Sequence, residues 1–344
     1  MKRDSLPRLD LGQLQFEPLS QRPSKVTLDH LGKPLQAAAD LETWLDSLPD
    51  VLAARGIKRL RDLVVQAHER GRSVAAAIGG HVVKTGCAPY LIDLLRRGVL
   101  DAVAMNGSAA IHDLELAVAG HTSEDVGPRL VAGTFGFARE TSSLFAEACD
   151  RAAELEIGLG QALGELILQR DGPGTSRSLL ATAASLGVPA TVHVAVGTDI
   201  VHMTPALDGK SLGQATLADF RTLTAVVSTL DGGVWLNIGS AVVMPEVFLK
   251  AVSIVRNLGL SLDGLTTANL DFEQKYRGLL NVLQRPGAEG IALTGHHELM
   301  IPLLHAAIVS KLAALSPSPT PPARHRKQGS SNHADRGVLP QPGR

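Results

Sequence analysis

Short apolar runs that alternate with helix-patterned stretches constrain this chain more than any other feature. Ser73 to Ile78 reads as a strand, and Tyr90 to Arg97 as a helix with Leu91, Leu94 and Leu95 on one face. Asp101 to Met105 reads as a buried strand, followed by a helix from about Ala109 to Val118. Thr141 to Arg170 is Ala/Glu-rich and helical, with a break near Gly158 and Gly160. Ala190 to Val196 is a strand, Ala218 to Leu230 a helix, and Gly233 to Ile238 a strand. Val247 to Leu258 is a helix, Gly264 to Thr267 a short strand, and Leu299 to Leu315 a closing helix. Strands separated by helices of roughly 10–15 residues predict βαβ units and a parallel sheet. Right-handed crossovers place helices on both faces. The expected fold is therefore an α/β, Rossmann-like, doubly wound parallel sheet.

Composition sets the class. The chain has 344 residues, of which 44% are hydrophobic, enough to bury a substantial core. Lys plus Arg is 33 and Asp plus Glu is 34, a formal net charge of −1 that gives no footprint for nucleic acid or an acidic membrane. An aromatic content of 3% argues against base-stacking platforms. No run of about eighteen apolar residues occurs, so no transmembrane helix is expected. The N-terminus lacks the apolar core of a signal peptide. Cys87 and Cys149 cannot make a disulfide framework or a four-thiolate zinc site. These features point to the cytoplasm. Residues 1–34 read as a polar arm, 35–315 as the folded body, and 316–344 as a Pro-rich basic tail too poor in apolar side chains to order itself.

Ligands of an open parallel sheet bind beyond the carboxyl ends of its strands. The first strand exits into Gly79-Gly80-His81-Val82-Val83-Lys84-Thr85-Gly86, the second into Asn106-Gly107-Ser108, and the Ala190 strand into Gly197-Thr198-Asp199. The Gly233 strand exits into Gly239-Ser240, and the Gly264 strand into Thr266-Thr267-Ala268-Asn269. Small residues let a ligand approach the backbone, and free N–H groups of a following helix receive phosphate oxygens. Five such exits together suggest a dinucleotide; each alone is an ordinary turn. The usual glycine fingerprint is missing. Gly158-Leu159-Gly160-Gln161-Ala162-Leu163-Gly164 has GxGxxxG spacing and follows a helical, acidic segment, so it reads as a helix break or packing site.

Metal chemistry is weakly signalled. His193, His202, His296, His297 and the His112-Asp113-Leu114-Glu115 group show no His-Glu-x-x-His spacing, so no metal is assigned. No G-x-S-x-G elbow occurs. Asp113 is expected to compensate the N-terminus of the helix it lies in.

Read in order, the exits resemble the deoxyhypusine synthase family. Asp101-Ala-Val-Ala-Met-Asn-Gly-Ser-Ala-Ala-Ile-His-Asp113-Leu is similar to its Val-Asp-Val strand and Thr-Ala-Gly-Gly turn with acidic residues and Asp-Leu. Thr198-Asp199 resembles its Thr-Asp-Gly, and Leu236 to Asn257 its Gly-rich turn and Met-Arg-Asn helix. Thr267-Ala268 resembles its Thr-Ala pair, and Ile301-Pro302-Leu303-Leu304 its closing Phe-Pro-Leu-Leu helix. The match spans about two thirds of the chain by eye. It implies a Rossmann-like fold, NAD as cofactor, a homotetramer, and aminobutyl transfer from spermidine through hydride transfer and an imine.

The resemblance puts NAD contacts at Asn106, Gly107, Ser108, Asp199, Thr267 and Ala268. His81, Lys84, His112 and His297 fall at cofactor positions with changed chemistry; Gly80, Gly239 and Ser240 complete the expected cofactor set. The family's Trp-Gly-Lys motif is replaced by Asn281-Val282-Leu283-Gln284-Arg285-Pro286, and arginine cannot form an imine. Its His-His motif is replaced by Met244-Pro245-Glu246-Val247. Catalytic candidates are then Glu246, Asp271 and Glu273 for an ammonium group, and Lys250 or Lys275 as alternative imine-forming amines. The leading expectation is an NAD-dependent transferase acting on a polyamine or related small amine. The alternatives are a non-catalytic NAD-binding scaffold on the same fold and a metal-assisted hydrolase using the histidines.

Overall fold

The computed structural model describes residues 10–315 apart from 19, 24 and 36–38; the Pro-rich tail from 316 onward lies outside the described residues. Six strands form one wholly parallel sheet: β1 (Val74–Ile78), β2 (Ala102–Asn106), β3 (Ala190–His193), β4 (Val234–Ile238), β5 (Thr266–Asp271) and β6 (Glu289–Thr294). Their order is β3-β2-β1-β4-β5-β6, the doubly wound arrangement that reverses between β1 and β4. Along each strand side chains alternate between faces. Val74, Ala76, Ile78, Val103 and Met105 point into one core, and Ala75, Ala77, Ala102 and Ala104 into the other. The alanine face is the thinner layer, where Trp235 stacks on Phe248 with ring centroids 4.3 Å apart.

The helices are α1 (Leu41–Ser47), α2 (Leu52–Glu69), α3 (Gly80–Lys84), α4 (Ala88–Arg96), α5 (Gly107–Ala119) and α6 (Val126–Val131). There follow α7 (Arg139–Leu155), α8 (Leu159–Arg170), α9 (Leu179–Leu186), α10 (Gly209–Ser228), α11 (Val243–Asn257) and α12 (His297–Leu315), with a π-helical stretch over Gly278–Gln284. Helices cover both faces, as the alternating pattern predicts.

The GxGxxxG stretch is a packing device. A Cβ on Gly160 would lie 2.2 Å from the Ala190 carbonyl oxygen, and one on Gly164 2.4 Å from that of Leu180. Buried Asp219 accepts the Gly160 and Val192 N–H groups at 2.9 and 2.7 Å, which ties the start of α8 to β3. Burial pushes its carboxyl up to about 7 against those stabilising hydrogen bonds.

Several sequence expectations change. β3 ends at His193 rather than Val196, because the chain leaves the sheet after its last pairing with Asn106. β6 is a strand that the sequence pattern does not predict. β5 runs to Asp271 rather than stopping at Thr267, because Asn269 and Asp271, though polar, are buried and paired with β4 and β6. α10 starts at Gly209, well before Ala218. Finally, α12 is long and apolar enough to cross a membrane by length and composition, with mean hydropathy 1.6, although His305, Ser310 and Lys311 interrupt its apolar run. It packs Ile301, Leu304, Ala307 and Ile308 into the core beside α2.

Candidate functional site

The carboxyl edge of the sheet divides into an open half and a filled half. The open half lies beyond β2 and β3. There a cavity of about 730 Å³ is bounded by α3, α5, α6, α7 and the loop after β3. That volume is in the range of small-molecule sites. Four of the expected cofactor residues line it: Lys84, Ser108, His112 and Asp199. Ser108, His112 and Glu115 follow one another at i, i+4 and i+7 along α5, so one helix face turns them all to the cavity.

Glycines set the close approaches beneath it. A Cβ on Gly80 would lie 2.3 Å from Ser108 Oγ and 3.2 Å from His112 Cδ2. One on Gly107 would lie 2.1 Å from Asp199 Oδ2. Asp199 is half-buried, and its Oδ2 has no hydrogen-bond partner among the described residues. Burial holds its carboxyl above the usual carboxylate range, partly offset by His202. Asn106 caps α5, its Oδ1 accepting the Ala109 N–H at 2.9 Å.

Glu115 sits at the centre of a hydrogen-bonded group. It accepts from the hydroxyls of Thr122 and, at 2.9 Å, Thr141. Thr122 Oγ1 in turn lies 2.7 Å from His112 Nδ1. Burial raises the Glu115 carboxyl, but the hydrogen bonds from His112, Thr122 and Thr141 outweigh it and hold the group below the usual range. These threonines were not found from sequence, since one lies on a loop and the other on α7.

The filled half lies beyond β1, β4, β5 and β6, at the reversal itself. Gly79 abuts the β4 exit so closely that a Cβ would fall 2.0 Å from the Gly239 carbonyl oxygen. Gly239 has φ +64, and a Cβ on it would strike His297 Cε1 at 2.7 Å and Val82 at 3.2 Å. His297 is buried; its Nε2 lies 3.3 Å from the Leu270 carbonyl oxygen, and its Nδ1 has no hydrogen-bond partner among the described residues. Burial lowers its pKa despite that hydrogen bond. Exposed His81 stacks obliquely on it, with centroids 5.4 Å apart. Ser240 is buried and its Oγ accepts the Met244 N–H at 3.2 Å, a cap for α11. Asn237 donates to Asn269 at 2.6 Å and to the Ser240 carbonyl oxygen at 3.0 Å.

Two expected cofactor residues are misplaced by the sequence reading. Thr267 and Ala268 are fully buried in the middle of β5, not at a strand exit. The real β5 exit is Asp271-Phe272. Asp113 also does a different job from the one expected. It is buried and accepts from Ser178 Oγ at 2.6 Å, Leu179 N–H at 2.9 Å and Leu180 N–H at 3.1 Å. It therefore caps α9, not the helix it lies in.

The catalytic candidates form two exposed ion pairs and one buried carboxylate. Glu246 is ion-paired with Lys250 and, at 2.9 Å, with Arg277, and accepts from Asn281 at 2.9 Å. Lys275 pairs with Glu273. Both lysines are exposed, without the desolvation that activates an imine-forming amine. Only Asp271 is buried at the edge, 4.0 Å from His297 Nε2. The remaining histidines are dispersed: His193 is buried in β3, its pKa lowered by burial to about 3, and His296 is exposed. Among the described residues no three His, Cys, Asp or Glu side chains gather as a metal ligand set.

The open half suits part of a dinucleotide. The orphaned Asp199 oxygen is an acceptor for ribose hydroxyls, and Lys84 and Ser108 offer donors to phosphate oxygens.

No family model matches the chain, and no curated protein matches it. Among solved structures it is similar to AgrE in ternary complex with ornithine and NAD+, at TM-score 0.50 and 13% identity over 76% of this chain and 33% of that one. It is also similar to apo ArgZ, an arginine dihydrolase from the ornithine-ammonia cycle in cyanobacteria, at TM-score 0.48 and 16% identity over 76% and 33%. A provisionally assigned deoxyhypusine synthase from Entamoeba histolytica gives TM-score 0.46 and 10% identity over 81% and 96%. The chain thus spans about a third of the length of AgrE and ArgZ. At these identities the likeness to AgrE establishes a shared α/β fold, in agreement with the six-stranded parallel sheet.

Proposed function

We propose that this chain is an NAD-dependent enzyme, divergent from the deoxyhypusine synthases, that acts on a polyamine or a related small amine. The observation that carries the reading is the cavity beside the strand-order reversal, with the unpartnered Asp199 oxygen in its wall. AgrE, which shares the fold, holds ornithine and NAD+ together. When bound, NAD supplies an acceptor for a hydride from carbon next to nitrogen. Asp199 binds the ribose hydroxyls, Lys84 faces the phosphates, and the carboxylates of Glu115 and Glu140 draw a cationic substrate into the cavity. In this reading the protein is a cytoplasmic homotetramer.

A second reading keeps the cofactor and drops the chemistry. It is favoured by the two exposed, ion-paired lysines, Lys250 and Lys275, which leave the family's imine without a nucleophile. Two measurements separate these readings. NAD should raise the melting temperature, because a ligand that binds only the folded state stabilises it by mass action. Spermidine should then give NADH absorbance. Stabilisation without turnover favours the scaffold, and no stabilisation of cofactor-free protein at millimolar NAD removes both.

A further inference from the structure

We propose that His112 is the acid–base group of the cavity, taking a proton through Nε2 from a bound alkylammonium. The proposal rests on the amine reading above for its substrate class, and on hydrogen-bond geometry for the residue. Glu115 is an acceptor only, so the single hydroxyl proton of Thr122 goes to it. Thr122 Oγ1 can therefore only accept from His112, 2.7 Å away, and this fixes the proton on Nδ1. Nε2 is left with its lone pair on a ring that lines the cavity, and the ring's hydrogen bond among the described residues is through Nδ1. A neutral imidazole so fixed is a base, and the carboxylate behind it steadies the imidazolium once formed.

The surrounding charges favour a cation. Four carboxylates line the cavity, Glu115, Glu124, Glu140 and Asp199, against Lys84 and Arg129. Arg129 is spent on Glu124 at 3.1 Å, while Glu140 forms no ion pair among the described residues. In the step, an ammonium N–H bond breaks and an Nε2–H bond forms. The positive charge passes to the ring, opposite Glu115, and the amine keeps the electron pair it needs to form a C=N bond. Thr122 and Glu115 act through His112 and are positioning residues.

Nitrogen NMR of the labelled full-length chain tests this without turnover. The His112 ring should be protonated at Nδ1 in the wild type. Thr122→Val should abolish that preference and Thr122→Ser should keep it. Spermidine should shift the Nε2 resonance. A wild-type ring protonated at Nε2, or an Nε2 resonance that spermidine leaves unmoved, overturns the proposal, and the wild-type spectrum decides even if a variant fails to fold. Calorimetry with NAD is run alongside. Loss of NAD binding with the His112 response intact sinks the dinucleotide reading alone, whereas NAD binding with an unresponsive His112 sinks this one.

Discussion

The two halves of the carboxyl edge carry the same kinds of residue, yet one is open and the other is full. Beyond β2 and β3, Gly80 and Gly107 bring backbone close to Ser108, His112 and Asp199 and leave a cavity with an unpartnered carboxylate oxygen. Beyond β1 and β4, Gly79 and Gly239 bring backbone so close to backbone and to His297 that neither position has room for a side chain. A doubly wound sheet is expected to bind its ligand where the strand order reverses. Here the filled half lies at the reversal, and the cavity with the candidate binding groups stands beside it on the open half. Glycine at a strand exit therefore signals close approach without saying whether the neighbour is a ligand or the protein itself.

The largest effect that would sharpen this contrast belongs to the filled half. Gly79→Ala puts a methyl against the Gly239 carbonyl oxygen, and neither backbone can retreat without breaking the β1–β4 ladder. Overpacking of this kind should cost about 3 kcal/mol or more. Urea unfolding measures it; a loss under about 1 kcal/mol would mean the two exits are looser than their contact implies.

Next comes Asp113→Ala, on α5 against the start of α9. It strips the Leu179 and Leu180 N–H groups of their buried acceptor, for an expected loss of about 2 kcal/mol. NAD affinity, read by calorimetry on the folded variant, should not change. An affinity loss with stability intact would place Asp113 in the binding site.

Asp199→Asn should behave in the opposite way. Its Oδ2 has no partner among the described residues, and asparagine can keep the side-chain cap on the His202 N–H, so stability at neutral pH should hold or rise slightly. If Asp199 takes ribose hydroxyls, charge-assisted bonds disappear and NAD binding should weaken about tenfold, roughly 1.4 kcal/mol. The pH signature follows from burial, which raises the native carboxyl above its ordinary 3.8. A raised group gives stability that is complete below the ordinary value and is lost as pH climbs through the native one. Wild-type stability should therefore decline from about pH 4 upward by more than that of Asp199→Asn. Parallel curves for the two proteins would show that Asp199 is not buried as described.

The alternating strands and helices were legible because a parallel sheet covered on both faces leaves continuous apolar runs such as Val74–Ile78. The edge strand β6 escaped because only Ile291 and Leu293 of its six residues are apolar and buried. Helix α2 carried a readable spacing in Ile57, Leu60 and Val64, beneath a heavily charged surface. At the site, the Ser108–His112–Glu115 face could have been read from helical period alone. The partners that orient it could not, because Thr122 and Thr141 reach Glu115 through the fold and not through the sequence. Thr267 and Ala268 misled for a related reason, since a polar strand end at Asn269 and Asp271 reads as a loop until its pairing partners are known.

The smallest effect is the one best placed to break the comparison. Lys250 lies on α11 at the rim of the filled half, exposed and paired with Glu246. Exposed i,i+4 pairs of this kind contribute about 0.5 kcal/mol at most, and salt screens them. If the chemistry sits in the open half, Lys250→Ala should leave melting temperature, NAD affinity and any spermidine-dependent NADH formation nearly unchanged. Glu246 would remain held by Arg277 and Asn281, so its neighbourhood should not collapse. His112→Gln, tested beside it, should lose turnover while still binding NAD. If Lys250→Ala loses turnover and His112→Gln keeps it, the assignment reverses. The π-helical stretch and α11 would then hold the reacting groups, and the cavity beyond β2 and β3 would serve only binding.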